Sequence, residues 1–287
     1  MNDETPPPQP PQEPDRPRRR RPRRRGARPA LRGLSINHII PNLLTMAALA
    51  AGLTAVRMSL EQRWELAVAS VGLAAVLDGL DGRIARLLNG STKFGAELDS
   101  LSDFISFGVA PALVLYSWSL SEAEGLGGWA VALLYAAACS LRLARFNTML
   151  GEPNLPPWAY NFFQGVPAPA GAGLALLPMV FSFHFDSELF RNPWLVGAVV
   201  IGSGMLQVSS IPTFSFKGSR IPHWQVPVLL LAVGAVAAFM VSAPWATLGV
   251  LGIMYLGSIP FSLRAFRRLR RQAEALRADE DGEDDPD

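Results

Sequence analysis

Long apolar blocks with almost no charge constrain the fold of this chain more than any other feature of its sequence. Of its 287 residues, 49% are hydrophobic and only 17% are charged. Uninterrupted apolar blocks of about 18 residues or more are typical of membrane-spanning helices, whose backbone hydrogen bonds are all satisfied internally. The sequence therefore predicts an all-α, polytopic membrane protein.

Eight such blocks can be delimited, and we expect each to be a transmembrane helix. The last two are separated only by the residues SAPW, which predicts a tight hairpin. The predicted spans cover residues 37–58, 65–88, 95–118, 128–147, 166–184, 194–211, 225–242 and 244–263. We accordingly assign residues 34–265 to one transmembrane domain.

Charged tails flank this domain at residues 1–33 and 266–287. The first tail is rich in proline and contains RPRRRRPRRRGAR, and the second ends in DEDGEDDPD. Neither tail has hydrophobic periodicity, so both are predicted to be disordered. Because the arginine tract adjoins a membrane span, topology determination or contact with anionic lipid headgroups is a better interpretation than nucleic-acid binding.

The distribution of basic residues predicts the orientation. With eight spans both termini lie on one side, and that side also collects most of the lysines and arginines in the connectors. Basic residues favour the cytoplasmic side, so we expect both termini to be cytoplasmic and the protein to lie in the cell membrane. The connector residues on this side are Arg83, Arg86, Lys93, Arg142, Arg145, Lys217 and Arg220.

Four aspartates lie at the cytoplasmic ends of the second and third spans. Asp78 and Asp81 are three residues apart, and Asp99 and Asp103 are four apart, so each pair lies on one helix face. The connector between the spans is short, which predicts antiparallel neighbouring helices. The two carboxylate pairs are therefore expected to face one another across a helix–helix contact.

Four clustered carboxylates at a membrane boundary repel one another unless a cation is present. A cluster of carboxylates without histidine or cysteine suits Mg²⁺ or Mn²⁺, with Ca²⁺ as a further candidate, held as one ion or a close pair. Gly82 and Gly95 leave room for a ligand, and Arg86 can bind a phosphate bidentately. This pattern favours metal-assisted chemistry on a diphosphate. The alternatives are solvated charges at a helix end, or an ion or proton carrier.

The same positions resemble the signature of the CDP-alcohol phosphatidyltransferase family. The signature is D-x-x-D-G-x-x-A-R, eight residues, then G-x-x-x-D-x-x-x-D. It is matched by Asp78, Asp81, Gly82, Ala85, Arg86, Gly95, Asp99 and Asp103. The resemblance implies that all four aspartates ligate metal, that Asp103 is also the general base, and that CDP-diacylglycerol donates a phosphatidyl group to an alcohol with release of CMP. It also implies a six-helix core with two added C-terminal helices, and a homodimer.

Further stretches resemble the branch of this family in which serine is the acceptor. They include NHIIPNLLTMAALAAGL at 37–53, LRLARFN at 141–147 and IPTFSFKG at 211–218. We expect Asn42 either to bind the cytidine or to brace Pro41. Arg142, Arg145 and Lys217 are candidates for binding the acceptor or a lipid phosphate. Glycerol 3-phosphate, inositol phosphate and choline remain alternative acceptors.

Overall fold

The computed structural model describes residues 36–88, 90, 92–123, 125, 127–149, 162–214 and 225–283. Helices make up most of this length, which confirms the all-α class. The α-helices are α1 (Ile36–Leu60), α2 (Trp64–Leu87), α3 (Lys93–Asp103), α4 (Ala110–Trp118), α5 (Gly127–Met149), α6 (Ala168–Ala175), α7 (Leu177–Phe185), α8 (Pro193–Val208), α9 (Val226–Ser242) and α10 (Pro244–Glu283). The first tail and Lys217 lie outside the described residues.

Two short strands were not anticipated from the sequence. Strand β1 (Phe162–Gln164) pairs antiparallel with β2 (Pro212–Phe214), with Phe163 opposite Thr213. The pair joins the segment before α6 to the segment after α8. It therefore fixes two connectors at the end of the helix bundle that carries the aspartates.

The helices confirm a polytopic membrane protein, although not the count of eight spans. Within the described part of the chain, four helical segments are long and apolar enough to cross a bilayer: His38–Leu60, Lys93–Trp118, Gly127–Thr148 and Pro244–Leu269. Helices α6 and α7 form a fifth candidate, bent by 42°. Helices α8 and α9 are apolar but have only 16 and 17 residues. Eight spans therefore remain a prediction.

Small and hydroxylated residues bring the first and third predicted spans into close contact. Ser102 Oγ donates to the Thr45 carbonyl at 3.1 Å, and Ser106 Oγ donates to the Ala48 carbonyl at 3.2 Å. A Cβ on Gly52 would lie 2.7 Å from the Ser106 Cα, so only glycine permits this approach. Close packing of this kind stabilises helix pairs in membranes.

A π-helical turn at Phe104–Val109 interrupts the third span directly after Asp103. Pro111 has no N–H with which to bond the Phe107 carbonyl four residues earlier. The Tyr135 hydroxyl from α5 donates to that carbonyl instead, at 3.0 Å. Such turns are common at functional sites, and this one begins directly after Asp103, the last residue of α3.

The apolar core lies between α1, α2 and the helices α4 to α8. Its fully buried members include Phe107, Leu115, Tyr135, Met179 and Val200. Helix α9 has no buried residue, which is typical of a helix that faces lipid. Helix α10 continues to Glu283, through most of the segment 266–287 for which the sequence predicts disorder. The arginines, alanines and leucines of that segment are strong helix formers, which accounts for the extension.

Candidate functional site

Three of the four aspartates meet between the C-terminal half of α2 and α3. One carboxylate oxygen from each of Asp78, Asp99 and Asp103 lies within 4.8 Å of the other two. All three residues are partly buried. The helical spacing and the short connector therefore bring the carboxylates together as the sequence predicts.

Asp81 has different surroundings. It is only 4% exposed, and its Oδ2 accepts a hydrogen bond from Thr45 Oγ1 at 2.6 Å. The sequence predicts that Asp81 lies with the other three aspartates. In the structure, one carboxylate oxygen of Asp81 instead lies against α1. Thr45 was missed by the sequence analysis. Its spacing from Asn42, three residues earlier on the same face of α1, was the available signal.

A cavity of about 180 Å³ adjoins the aspartates. It is formed by α1, the end of α2, the connector and the start of α3. Its walls contain most of the residues predicted to contact the nucleotide or its diphosphate. The lining residues are Pro41, Asn42, Thr45, Asp81, Gly82, Ala85, Gly90, Thr92, Gly95, Ala96 and Asp99.

The start of α3 is held close to α1 at this cavity. The Gly95 N–H donates to Thr92 Oγ1 at 2.9 Å, so Thr92 caps the helix. A Cβ on Gly95 would lie 3.0 Å from Asn42 Oδ1 and 3.1 Å from Thr92 Oγ1. Glycine at this position therefore allows the helix cap and the Asn42 amide to share one wall of the cavity.

Gly82 faces open space, since a Cβ at that position would meet nothing within 4 Å. Arg86 is exposed, and its Nε donates to the Gly82 carbonyl at 3.0 Å. Arg86 is not among the residues that line the cavity. Its predicted contact with the diphosphate therefore stays a prediction.

The two arginines near the end of α5 have different surroundings. Arg142 interacts electrostatically with Asp103 and Asp78, and its guanidinium lies 5.6 Å from the centre of the Phe146 ring. Arg145 instead donates to the Val208 carbonyl at 3.3 Å and to Ser210 Oγ at 3.1 Å. Arg142 thus offsets part of the carboxylate charge, whereas Arg145 braces the end of α8.

The donor set of the cluster is suited to a hard divalent cation. Asp78, Asp99 and Asp103 offer carboxylate oxygens at short mutual distances, and the cluster contains no nitrogen or sulfur ligand from the described residues. Such oxygen ligands suit Mg²⁺, Mn²⁺ or Ca²⁺. The three carboxylates could therefore hold a metal ion beside the cavity.

The fold and the site define an integral membrane protein with an acidic centre and an adjoining cavity at the ends of its helices. The sequence model of the CDP-alcohol phosphatidyltransferase family matches residues 38–209, more than half of the chain. A second model, CDP-alcohol phosphatidyltransferase 2, matches residues 224–260. The chain therefore belongs to the CDP-alcohol phosphatidyltransferase family, which confirms the resemblance and makes the protein a transferase.

Similar proteins carry the name CDP-diacylglycerol–serine O-phosphatidyltransferase. The one from Mycobacterium bovis is 39% identical over 243 residues, which cover 85% of this chain and 84% of the relative. The one from Mycobacterium leprae is 37% identical over 249 residues, which cover 87% of this chain and 82% of the relative. The one from Bacillus subtilis is 34% identical over 178 residues, which cover 62% of this chain and 91% of the relative.

Proposed function

We propose that this protein transfers the phosphatidyl group of CDP-diacylglycerol to the hydroxyl of L-serine, giving phosphatidylserine and CMP. The observation that carries the proposal is the junction of the Asp78, Asp99 and Asp103 carboxylates with the cavity that contains Asn42 and Gly82. The names of the relatives support serine as the acceptor.

The donor nucleotide occupies the cavity, with its diphosphate at the carboxylate cluster. Asn42, Thr45 and Thr92 supply polar groups in the cavity walls, and the open space beside Gly82 admits a bulky group. The donor enters laterally from the bilayer, and its acyl chains lie in a groove between the spans. The residues that bind the donor thus come from α1, α2 and the start of α3.

Asp78, Asp81, Asp99 and Asp103 would hold one or two divalent cations, Mg²⁺ or Mn²⁺, which would supply positive charge to neutralise the diphosphate. Asp103 accepts the proton from the serine hydroxyl as general base. The serine oxygen forms a bond to the β-phosphorus, and the bond from that phosphorus to the bridging oxygen breaks. CMP leaves with the electron pair. Arg142, beside Asp103, stabilises the added negative charge.

The proposed setting is the cytoplasmic face of the cell membrane, with both termini in the cytoplasm. The excess of basic residues in the connectors on that side supports this orientation. Serine then reaches the site from the cytosol. By resemblance to the family, the protein is proposed to be a homodimer.

The test is CMP release by the purified protein from CDP-diacylglycerol with Mn²⁺ or Mg²⁺. Serine, glycerol 3-phosphate, inositol phosphate and choline are offered separately, and the Asp103→Asn variant serves as the inactive control. Release with serine alone supports the proposal. Release with another acceptor reassigns the substrate, and release with none contradicts the transferase reaction and favours a metal or ion carrier.

A further inference from the structure

Gln207 is a buried side chain whose polar atoms are unsatisfied. It lies one residue before the end of α8, is 1% exposed, and neither its Nε2 nor its Oε1 has a hydrogen-bond partner among the described residues. Its amide lies beside the Tyr135 hydroxyl of α5, which already donates to the Phe107 carbonyl. A buried amide without partners destabilises a fold, so its presence needs an explanation.

The side chain is held firmly in place by its neighbours. A Cβ on Gly171 of α6 would lie 2.6 Å from the Gln207 Cδ, so glycine makes room for the amide. One turn earlier on α8, Ser203 Oγ donates to the Gly171 carbonyl at 2.7 Å. The amide is therefore positioned by packing and not by hydrogen bonds of its own.

The Tyr255 hydroxyl of α10 is the other unsatisfied buried side-chain group in the described part of the chain. It lies near the Thr213 hydroxyl of β2 and interacts electrostatically with Arg142. Thr213 Oγ1 donates to the Gly165 carbonyl at 2.9 Å, and a Cβ on Gly165 would lie 2.4 Å from the backbone oxygen of Gln207. Gly165 therefore lies between Thr213, which is beside Tyr255, and the backbone of Gln207.

The other buried hydroxyls around this region are all bonded. Ser203 and Thr213 bond to carbonyls as described above, and Ser262 Oγ of α10 donates to the Pro212 carbonyl at 2.7 Å. Among the described residues, the buried side-chain groups without a hydrogen-bond partner thus belong only to Gln207 and Tyr255. Both lie near the face of α5 that carries Tyr135, Cys139 and Arg142, which are spaced one helical turn apart.

From this juxtaposition we propose that Gln207 and Tyr255 form, with Arg142, the subsite that selects a small zwitterionic amino acid as acceptor. This inference rests on the proposed function and deepens it. The Gln207 Oε1 accepts from the ammonium group of serine. The Gln207 Nε2 and the Tyr255 hydroxyl donate to its carboxylate, whose charge is balanced by Arg142.

This assignment matches the chemistry of serine better than that of the other acceptors. The subsite combines hydrogen-bond donors with one acceptor oxygen. Serine offers a carboxylate and an ammonium group, both attached to its Cα. Glycerol 3-phosphate and inositol phosphate have no ammonium, and choline has neither N–H groups nor a carboxylate. Because Arg142 also faces Asp103, a carboxylate bound there leaves the serine hydroxyl near the proposed base.

The experiment measures the KM for serine and the KM for CDP-diacylglycerol separately, on the purified full chain. The test variants are Gln207→Met and Tyr255→Phe, which remove polar atoms and nearly keep volume. Each is expected to raise the KM for serine at least about tenfold, since a hydrogen bond to a charged group is lost. The KM for CDP-diacylglycerol is expected to change less than about twofold, because its residues lie on other helices.

Two control variants separate binding from structure. Ser203→Ala removes a hydrogen bond from the same α6–α8 contact, and it should lower the thermal midpoint while the KM for serine is unchanged. Tyr116→Phe removes a hydroxyl from α4, where the ring of Tyr116 packs edge-on against Trp129 with the ring centres 5.2 Å apart. This variant should change neither KM. Gln207→Met should keep or raise the thermal midpoint, because an unsatisfied buried amide is replaced by an apolar group.

The outcomes distinguish this subsite from the proposed function. If the wild type releases CMP with serine and both test variants keep its KM for serine, the subsite is overturned while the function stands. If the wild type releases no CMP with serine, the proposed function is overturned and the subsite with it. Equal increases in both KM values, with a lowered thermal midpoint, would assign Gln207 and Tyr255 a structural role and refute the proposal.

Discussion

Replacing Gly82 with alanine is expected to make the protein more stable and less active. Gly82 lies inside α2, and a Cβ there meets nothing within 4 Å, so the methyl group enters without a clash. Glycine inside a helix is less favourable than alanine by about 0.8–1.0 kcal/mol. The free energy of unfolding should therefore rise by up to about 1 kcal/mol.

The same methyl group points into the space that the donor is proposed to occupy. Gly82 lines the cavity of about 180 Å³ beside the carboxylates, so an added methyl overlaps with a bound nucleotide or displaces it. Overpacking typically costs about 1–3 kcal/mol. The KM for CDP-diacylglycerol should consequently rise roughly 5-fold to 150-fold, at about 1.4 kcal/mol per factor of ten.

Gly79 provides the matched control on the same helix. A Cβ on Gly79 also meets nothing within 4 Å, but Gly79 does not line the cavity. Gly79→Ala should raise the thermal midpoint as Gly82→Ala does, with an unchanged KM for CDP-diacylglycerol. The measurements are thermal unfolding and CMP release at varied donor concentration. A wild-type donor KM in Gly82→Ala, or an equal rise in Gly79→Ala, would refute the assignment of the cavity.

Three further predictions address the carboxylates and their neighbours. Asp103→Asn should keep the helical circular dichroism spectrum but lower kcat by about 10²–10⁴, as for loss of a general base, and near-wild-type CMP release would contradict that role. Thr45→Val removes the 2.6 Å hydrogen bond to Asp81 and should lower kcat/KM by about tenfold or more, whereas an unchanged value would show that this bond does not position Asp81. Treatment with a chelator should abolish CMP release, and Mg²⁺ or Mn²⁺ should restore it; activity that persists after chelation would exclude the metal site.

The aspartate cluster was predictable because it depends on local geometry. Residues three and four apart share a helix face whatever the rest of the fold does, and a short connector makes adjacent helices antiparallel. Asp78 and Asp99 therefore meet from sequence spacing alone. The place of Gly82 and Gly95 in the cavity wall follows from the same spacing, since both lie on the faces that carry the aspartates.

Other features depend on which helix packs against which, and these were not predictable. The separate environment of Asp81 requires Thr45, which is 36 residues away on α1. The π-helical turn after Asp103 contains the Phe107 carbonyl that accepts a hydrogen bond from Tyr135, 28 residues away on α5. A local pattern of hydrophobicity contains no information on these tertiary contacts, so only the three-dimensional arrangement reveals them.

The division of the site between helices explains why the signature predicts the donor better than the acceptor. The cavity proposed to hold the nucleotide is built from α1 to α3, a stretch of chain that includes every signature residue from Asp78 to Asp103. The polar groups assigned to the acceptor come from α5, α8 and α10, which are separated by long stretches of chain. Tyr255 lies within residues 224–260, the segment matched by the second family model and outside the first.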